Sequence, residues 1–482
     1  MVRIAFLQQD AFFRPGIASL ISVLKENDHK CKIFIRNNEA DFQSFFNKIR
    51  NFNPEIIGFS CTTGEYLWAK EVAKIIKKKL KIHCVFGGPH PTFCPEIIEE
   101  EGVDIVCIGE GEHAMIRLAN SIDKKRSINK INNLWVKENG TIHRNEIENL
   151  VEDLDEFPFA DRDCYDEYPQ IKNKPTADVF FSRGCPFSCS YCHNSKKRDL
   201  YKGKGRYMRQ RSVKSVIKEL KMLKERYPNL KAFRIHDDLF IFNKKWLFDF
   251  LRRYKKDIAI PFICQIRADV STEEIIKRLK ESYCDRVSIG VECGNEDFRR
   301  EILNKPILNS QILKVAGWCH KYNLRMTTYN MIGLPDETVN NAIETIVLNS
   351  KIKPEIADIF IFQPYPKAPI SDYAIERGLL DYDYNLKAFS TFVNKNSVLK
   401  QKNIKELVNL YMFFELGVKH PRLIPLIKIL IKIPTNRFFY FFSTIGHMRR
   451  SLKYDFDSLS GKISFVLRRM WNILILKNYD PE

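Results

Sequence analysis

Three cysteines, Cys185, Cys189 and Cys192, fall close together in the segment FFSRGCPFSCSYCHNS, directly after an apolar strand-like run. Three thiolates at this spacing can hold three irons of a [4Fe–4S] cube and leave the fourth iron open. An open iron can chelate the amino and carboxylate groups of S-adenosylmethionine (SAM), so that an electron from the cluster breaks the sulfonium bond. The product is a 5′-deoxyadenosyl radical, which abstracts hydrogen from unactivated carbon. Structural zinc is the competing use of such thiols. It takes four ligands, usually in paired C-x2-C units, and His193, adjoining Cys192, is poorly placed to be the fourth.

The elements that must position this loop read as alternating strands and helices. Over residues 1–125, short apolar runs occur at Arg3–Leu7, Cys31–Ile35, Glu55–Ser60, Ile82–Phe86 and Asp104–Ile108, with helical-period segments such as Tyr66–Leu80 between them. Such alternation predicts a doubly wound parallel sheet of the Rossmann type, whose ligands bind outside the carboxyl ends of the strands. The Gly-bearing turns at Gly16, Gly64, Gly87–Gly88 and Gly109–Gly111 fall there. Residues 126–175 read as a connector with an Asn139–Gly140 turn. Over 176–395 the alternation resumes, with a helix at Val213–Tyr227. Strands are expected at Lys231–His236, Phe262–Ile266, Arg286–Val291, Leu324–Met331 and Ala357–Gln363, and a capping box at Ser271 and Glu274. With the strand entering Cys185, about six βα units result, which suits a partial (β/α)6 barrel. Residues 396–482 form a basic, apolar and expectedly helical C-terminal region.

A chain of 482 residues suggests two or three domains, and 44% apolar with 28% charged residues excludes a disordered chain. No run reaches the roughly 18 apolar residues of a bilayer-spanning helix. The start, MVRIAFLQQDAFF, lacks the basic region and cleavage site of a secretory signal, so a cytoplasmic location is expected. Thirteen cysteines, an odd count, do not read as a disulfide framework, and most sit singly in apolar runs as small core residues. The net charge of +19 favours an anionic partner or reflects a Lys-rich surface spread along the chain. In the tail, Pro421–Arg450 mixes Lys and Arg with Phe438, Phe439, Tyr440, Phe441 and Phe442. Two readings compete there: a helical cover for the barrel, or a face lying on an anionic membrane from the cytoplasmic side. Lys428 and Lys432 argue against a spanning helix.

The C-x3-C-x2-C spacing with Tyr191 before the last cysteine resembles the signature of the radical SAM superfamily. The run FGGPHPTFCPEIIEEEGVDIVCIGEGEHAM resembles the cobalamin-binding domain fused ahead of many such barrels. The resemblance covers residues 1–395 in the expected order and implies three cofactors: a [4Fe–4S] cluster on Cys185, Cys189 and Cys192, SAM, and cobalamin. It implies SAM contacts from Phe187 and Tyr191, from Asp237 and Asp238 in HDDLF, from Arg267 and Glu292, and from the Gly333, Leu334, Pro335 turn of MIGLPDET. It implies cobalamin contacts from Ser60, Gly87, Gly88, His90, Thr92, Gly109, Glu110, Gly111 and Glu112. The D-x-H-x-x-G loop of classical cobalamin carriers corresponds to DAFFRPG, with Asp10, Phe12 and Gly16 but no His, so no protein imidazole is expected on cobalt. The family's FxPYPGT-like stretch reads FQPYPKAP here, with Lys367 and Ala368 in place of Gly-Thr.

The activity the resemblance implies is methylation of an unactivated carbon on a small-molecule or lipid-like substrate, with a reductant such as flavodoxin or ferredoxin and without nucleic acid. Three alternatives stay open: a cobalamin-dependent cyclase or rearrangement enzyme, an RNA methylthiotransferase-like enzyme, and a non-catalytic corrinoid carrier. The methylthiotransferase reading needs a second cysteine set, and Cys31, Cys61, Cys84, Cys94 and Cys107 look core-like.

Overall fold

The computed structural model describes residues 1–80, 82–384, 386, 397–434 and 439. Two sheets organise them. The first has the order Lys30–Ile35, Arg3–Gln8, Ile56–Ser60, His83–Gly87, Ile105–Cys107, Leu134–Glu138, Thr141–Arg144. Its first five strands are parallel and its last two antiparallel. The parallel strands are near-continuous apolar runs because helices cover both faces. Ile4 and Phe6 pack with Ile17, Ile21, Met115 and Leu118 of helices Pro15–Glu26 and Glu112–Asp123. Ala5 and Leu7 belong to the opposite layer, with Phe45, Ile49, Tyr66 and Val72 of helices Phe42–Phe52 and Thr63–Lys79. The span read as a connector thus contributes a hairpin to this sheet. Its turn, Asn139 at φ +50° and Gly140 at φ +80°, has the two positive φ values of a tight hairpin loop.

The second sheet has six parallel strands in the order Ile356–Ile361, Arg325–Ile332, Cys284–Glu292, Phe262–Ile266, Ala232–Ile235, Thr176–Val179. The two outermost strands do not pair with each other, so the barrel is open. Side chains alternate across each strand. Val179, Phe233, Ile235, Phe262, Cys264, Val287 and Ile289 pack outward under the helices Val213–Arg226, Lys244–Asp257, Glu273–Glu281 and Asn309–Lys321. The residues between them face the lumen.

The expected Ser271–Glu274 capping box is replaced by a simple N-cap one residue later. Thr272 is the N-cap, accepting from the Ile275 N–H at 3.3 Å, whereas the Ser271 hydroxyl donates back to the Arg267 carbonyl. In the tail, helices Ile404–Lys419 and Ile424–Leu430 seat Leu407, Leu410, Phe414, Ile427 and Ile431 on Ile332, Ile343 and Ile346 of the barrel. This is the covering role. Phe438, Tyr440, Phe441 and Phe442 lie outside the described residues, while Phe439 is buried in the same cluster. Among the described residues no helix is long and apolar enough to cross a membrane.

Candidate active site

The cysteine loop leaves the barrel after the strand Thr176–Val179. Cys189 is buried; Cys185 and Cys192 are half-buried. Arg267, just past the strand Phe262–Ile266, donates Nη1 to Cys189 Sγ at 3.4 Å, and Asn194 Nδ2 donates to Cys192 Sγ at 3.7 Å. Burial first, then Asp238 and the two other thiols, push the Cys185 thiol up to about 11. Sulfurs sharing one field resist ionising together, and a bound cation relieves them. Among the described residues no three His, Cys, Asp or Glu converge on a point one ion could occupy. A cube needs no such point, since its sulfurs sit on separate irons. The His193 ring is engaged elsewhere, with Nε2 3.0 Å from the Pro366 carbonyl and a stack on Phe93 at 4.5 Å. Three thiols with an adjoining guanidinium fit a cluster with one open iron.

The other strand-end residues divide into those that face this loop and those already committed. Asp238 is exposed beside Cys185 and Cys192. Asp237 is fully buried, and its two oxygens accept from the Phe181 N–H at 2.7 Å and the Ser182 hydroxyl at 2.6 Å. Of the two aspartates expected at SAM, Asp238 is the one left without an internal commitment of this kind, whereas Asp237 ties its strand end to the one entering the cysteine loop. Arg267 also pairs with Asp269 at 2.8 Å and lies 3.5 Å over the Phe187 ring, so Phe187 and Arg267 brace the loop together. Glu292, at φ +63° after a bulge, accepts at Oε1 from the Tyr191 hydroxyl at 3.0 Å and from the Lys305 ammonium at 2.9 Å. These three side chains form one buried network behind the last cysteine. The Gly333 and Leu334 amides donate to Glu337 Oε2 at 2.6 and 3.1 Å, and Leu334 is buried among Cys293, Leu303 and Phe362. The Gly333–Pro335 turn is therefore closed by its own glutamate, with Leu334 directed into the core. Lys367 holds φ +62°, the left-handed conformation that a glycine takes freely, and pairs with Glu96 at 3.7 Å.

A cavity of about 550 Å³ opens between the carboxyl ends of the first sheet and the barrel. From the first sheet come Gly16, Ser60, Gly87, Gly88, Gly109, Glu110, Gly111 and Glu112; from the barrel side come Asp178, Phe180, His236 and Asp238. The volume lies within the range of ligand pockets. Gly16 and Gly87 leave room for a ligand, since a Cβ on Gly16 would meet nothing within 4 Å and one on Gly87 would lie 3.6 Å from its nearest neighbour. A cradle that a side chain would fill is what a bulky planar cofactor requires. Gly88 and Gly109 are different. At φ +94° a Cβ on Gly88 would lie 2.9 Å from the Cys61 amide, and at φ +77° one on Gly109 would lie 1.9 Å from the Tyr201 hydroxyl. Their glycines answer to the protein's own packing.

Four expected cobalamin contacts lie off the cavity. Asp10 accepts from Asn37 at 2.5 Å, and the Phe12 ring lies under Arg14 at 4.1 Å. His90 is buried against Tyr66, its Nδ1 3.3 Å from the Thr63 hydroxyl, and burial pushes its imidazole down to about 4. Thr92 accepts from the Gly109 amide at 3.0 Å and so shapes that turn from beneath. Glu110 and Glu112, which do line the cavity, are occupied by arginines of the barrel side. Arg183 donates to Glu110 at 2.8 Å and to Glu112 at 2.6 Å, and Arg209 donates Nη1 to Glu110 Oε2 at 3.1 Å. The Glu110 amide donates to Tyr201 Oη at 2.7 Å. This clamp fixes the Gly109–Gly111 turn to the residues flanking the cysteine loop. Arg183, Arg209, Tyr201 and the His236–Asp178 pair at 2.6 Å escaped sequence reasoning. Only the position of Arg183, two residues before Cys185, offered a signal.

Comparison with known proteins agrees with this geometry. Residues 179–348 match the radical SAM superfamily model and residues 12–119 the B12 binding domain model. A protein of Pyrococcus horikoshii, described as an uncharacterized methyltransferase, is 33% identical over 374 residues, covering 76% of this chain and 79% of its own. The anaerobic magnesium-protoporphyrin IX monomethyl ester cyclase of Rubrivivax gelatinosus is 23% identical over 92% of this chain and 83% of its own. Among solved structures, the cobalamin-dependent SAM radical enzyme OxsB with aqua-cobalamin bound superposes with a TM-score of 0.70 at 17% identity, covering 100% of this chain and 77% of that one. SAM, a [4Fe–4S] cluster and cobalamin are the cofactors that the two family models imply together. With its thiol loop at the mouth of an open barrel and a sheet of Gly-bearing turns facing it, the chain belongs to the radical SAM enzymes that carry a cobalamin-binding domain.

Proposed function

We propose that this protein methylates an unactivated carbon of a small-molecule or lipid-like substrate, using residues 1–144 to hold the corrinoid and the open barrel to hold SAM and substrate. One observation carries this reading: the cavity lined by the turns at Gly16, Gly87 and Gly111 extends to Arg183 and Gly184, at the entry to the cysteine loop, and to Asp238, which lies beside the Cys185 and Cys192 thiols. When bound, the cluster supplies the electron that cleaves SAM and the corrinoid carries the methyl group. The chain's own residues set the geometry. Cys185, Cys189 and Cys192 ligate three irons. Arg267 neutralises thiolate charge at Cys189. Asp238 accepts from the SAM ammonium by a charge-assisted hydrogen bond, while Asp237 and Glu292 position the loop from behind. The Glu110–Arg183–Arg209 clamp keeps the two halves in register across the cavity.

The test is anaerobic reconstitution followed by assay of 5′-deoxyadenosine from SAM and dithionite. A triple Cys185→Ala, Cys189→Ala, Cys192→Ala variant that still forms it would end the cluster assignment. A second reading, a cyclase that uses the same cofactors without methyl transfer, is favoured by the cyclase relative matching across 92% of the chain. SAM carrying a deuterated methyl group separates the two, because only methylation puts the label in product. A flavodoxin- or ferredoxin-class reductant is part of the proposal. So is contact with an anionic membrane surface, supported by the exposed Leu426, Ile429 and Ile433 beside Lys428 and Lys432.

A further inference from the structure

The barrel lumen is cationic where a closed barrel would be packed with branched apolar side chains. One row of lumen-facing positions runs across five adjacent strands: Asp178, Arg234, Ile263, Arg286 and Arg325 are successive register partners. Asp178 is bonded to His236, and Arg325 pairs with Asp285. Arg234 and Arg286 make no hydrogen bond or ion pair through their side chains among the described residues, and Arg286 Nε and Nη1 are buried without a partner. Their strands are separated by one other, so their Cα atoms stand about 10 Å apart. Two side chains of that length can both reach one small group held above Ile263. Burial, and then the nearby Arg325, holds the Arg286 guanidinium below its usual range against the opposing pull of Asp285 and Tyr329, with Arg234 adding a smaller repulsion. A buried cation without a partner is costly, and an anion between the two relieves both desolvation and repulsion.

The walls above this row are aromatic. Phe180 and Phe360, each 42% exposed, stand at the two unpaired edges of the sheet. Phe360 is 6.3 Å from the Tyr329 ring and Phe180 stacks on His236 at 5.4 Å. Asp358, two lumen-facing rows up and the register partner of Tyr329, already has an interaction of its own. Arg286 lies four residues, about 13 Å, below Gly290, at the end of the lumen away from the cysteine loop.

We propose that the lumen binds an anionic amphiphile, with its carboxylate or phosphate on Arg234 and Arg286 and its apolar body along Phe180, Tyr329 and Phe360, reaching up toward the cysteine loop. This rests on the reading that the barrel holds the substrate, and it names the substrate's chemical class. The test uses the anaerobically reconstituted full chain and three probes: octanoate, octyl phosphate and the uncharged octan-1-ol, with binding followed by titration calorimetry. The wild type is expected to bind at least one of the two anions about ten-fold or more tightly than the alcohol. Whichever anion shows it identifies the headgroup. Arg286→Gln and Arg234→Gln each abolish that preference, whereas Arg252→Gln, on the exposed face of an outer helix, keeps it. A wild type that binds all three equally, or not at all, overturns the proposal whether or not the variants fold. Formation of 5′-deoxyadenosine by the wild type is measured alongside. If it forms while the anion preference is absent, only the substrate class is wrong; if it does not form, the enzymatic reading falls first.

Discussion

Replacing Glu110 with Gln removes the charge at the centre of the clamp while keeping an acceptor in place. Burial alone would raise this carboxyl, but Arg183 and Arg209 outweigh it and hold Glu110 at about 2, against an ordinary 4.5. At 1.36 kcal/mol per unit that depression is worth about 3 kcal/mol. The side chains are 14% and 1% exposed for Glu110 and Arg209, so solvent screening takes little of it away. An independent figure, about 3–5 kcal/mol for leaving one partner of a buried pair alone, agrees. Because the folded value is depressed, this contribution is present above about pH 4.5 and is lost as pH falls through about 2. The assay is a double-mutant cycle of Glu110→Gln and Arg209→Gln, read as urea unfolding at pH 7. Arg183 supplies part of the depression, so the expected Glu110–Arg209 coupling is about 1–2 kcal/mol, with Arg209 retaining its bond to the Val151 carbonyl at 2.7 Å in the single Glu110 variant. A coupling below about 0.5 kcal/mol, the level of ordinary additivity, would refute the view that the clamp holds the two halves together.

Other outcomes follow from the same geometry. Gly109→Ala forces a side chain into a left-handed residue and against the Tyr201 hydroxyl at 1.9 Å; it should cost about 2–3 kcal/mol in thermal unfolding, with part recovered in Gly109→Ala/Tyr201→Phe. Asp238→Asn should weaken SAM binding in equilibrium dialysis without shifting unfolding, whereas Asp237→Asn, with both oxygens used internally, should lower stability by about 1–3 kcal/mol; the reverse pattern would exchange their roles. Burial pushes Glu337 up to about 8, against an ordinary 4.5. The folded state therefore favours its neutral form, and stability should fall as pH rises from about 4.5 through about 8. Glu337→Gln, which still accepts from the Gly333 and Leu334 amides, should flatten that slope; parallel pH profiles of wild type and variant melting would rule this out.

Much of the fold was legible because its causes are local. The short apolar runs and the 3.6-residue apolar patterns recur within a single strand or helix, so both sheets could be placed from short windows of sequence. The three cysteines fall within one loop, so their spacing alone states a ligand set. The turn at Asn139–Gly140 was legible for the same reason, though not that its hairpin would extend the first sheet, because strand pairing at a sheet edge is not encoded in the hairpin itself. Roles set by partners far along the chain were hidden. Glu110 meets Arg209 across 99 positions, and that meeting turns an expected cofactor contact into an interdomain clamp. Asp237 and Asp238 are identical and adjacent, yet the loop that follows the strand Ala232–Ile235 turns one into the core and leaves the other at the cavity. Gly87 and Gly109 look alike in sequence, and only the neighbour a Cβ would strike separates a ligand cradle from a packing necessity. Sequence by itself determined which chemistry the chain can support. The tertiary structure decided which side chains are free to perform it, because a polar group's availability depends on whether folding has already given it a partner.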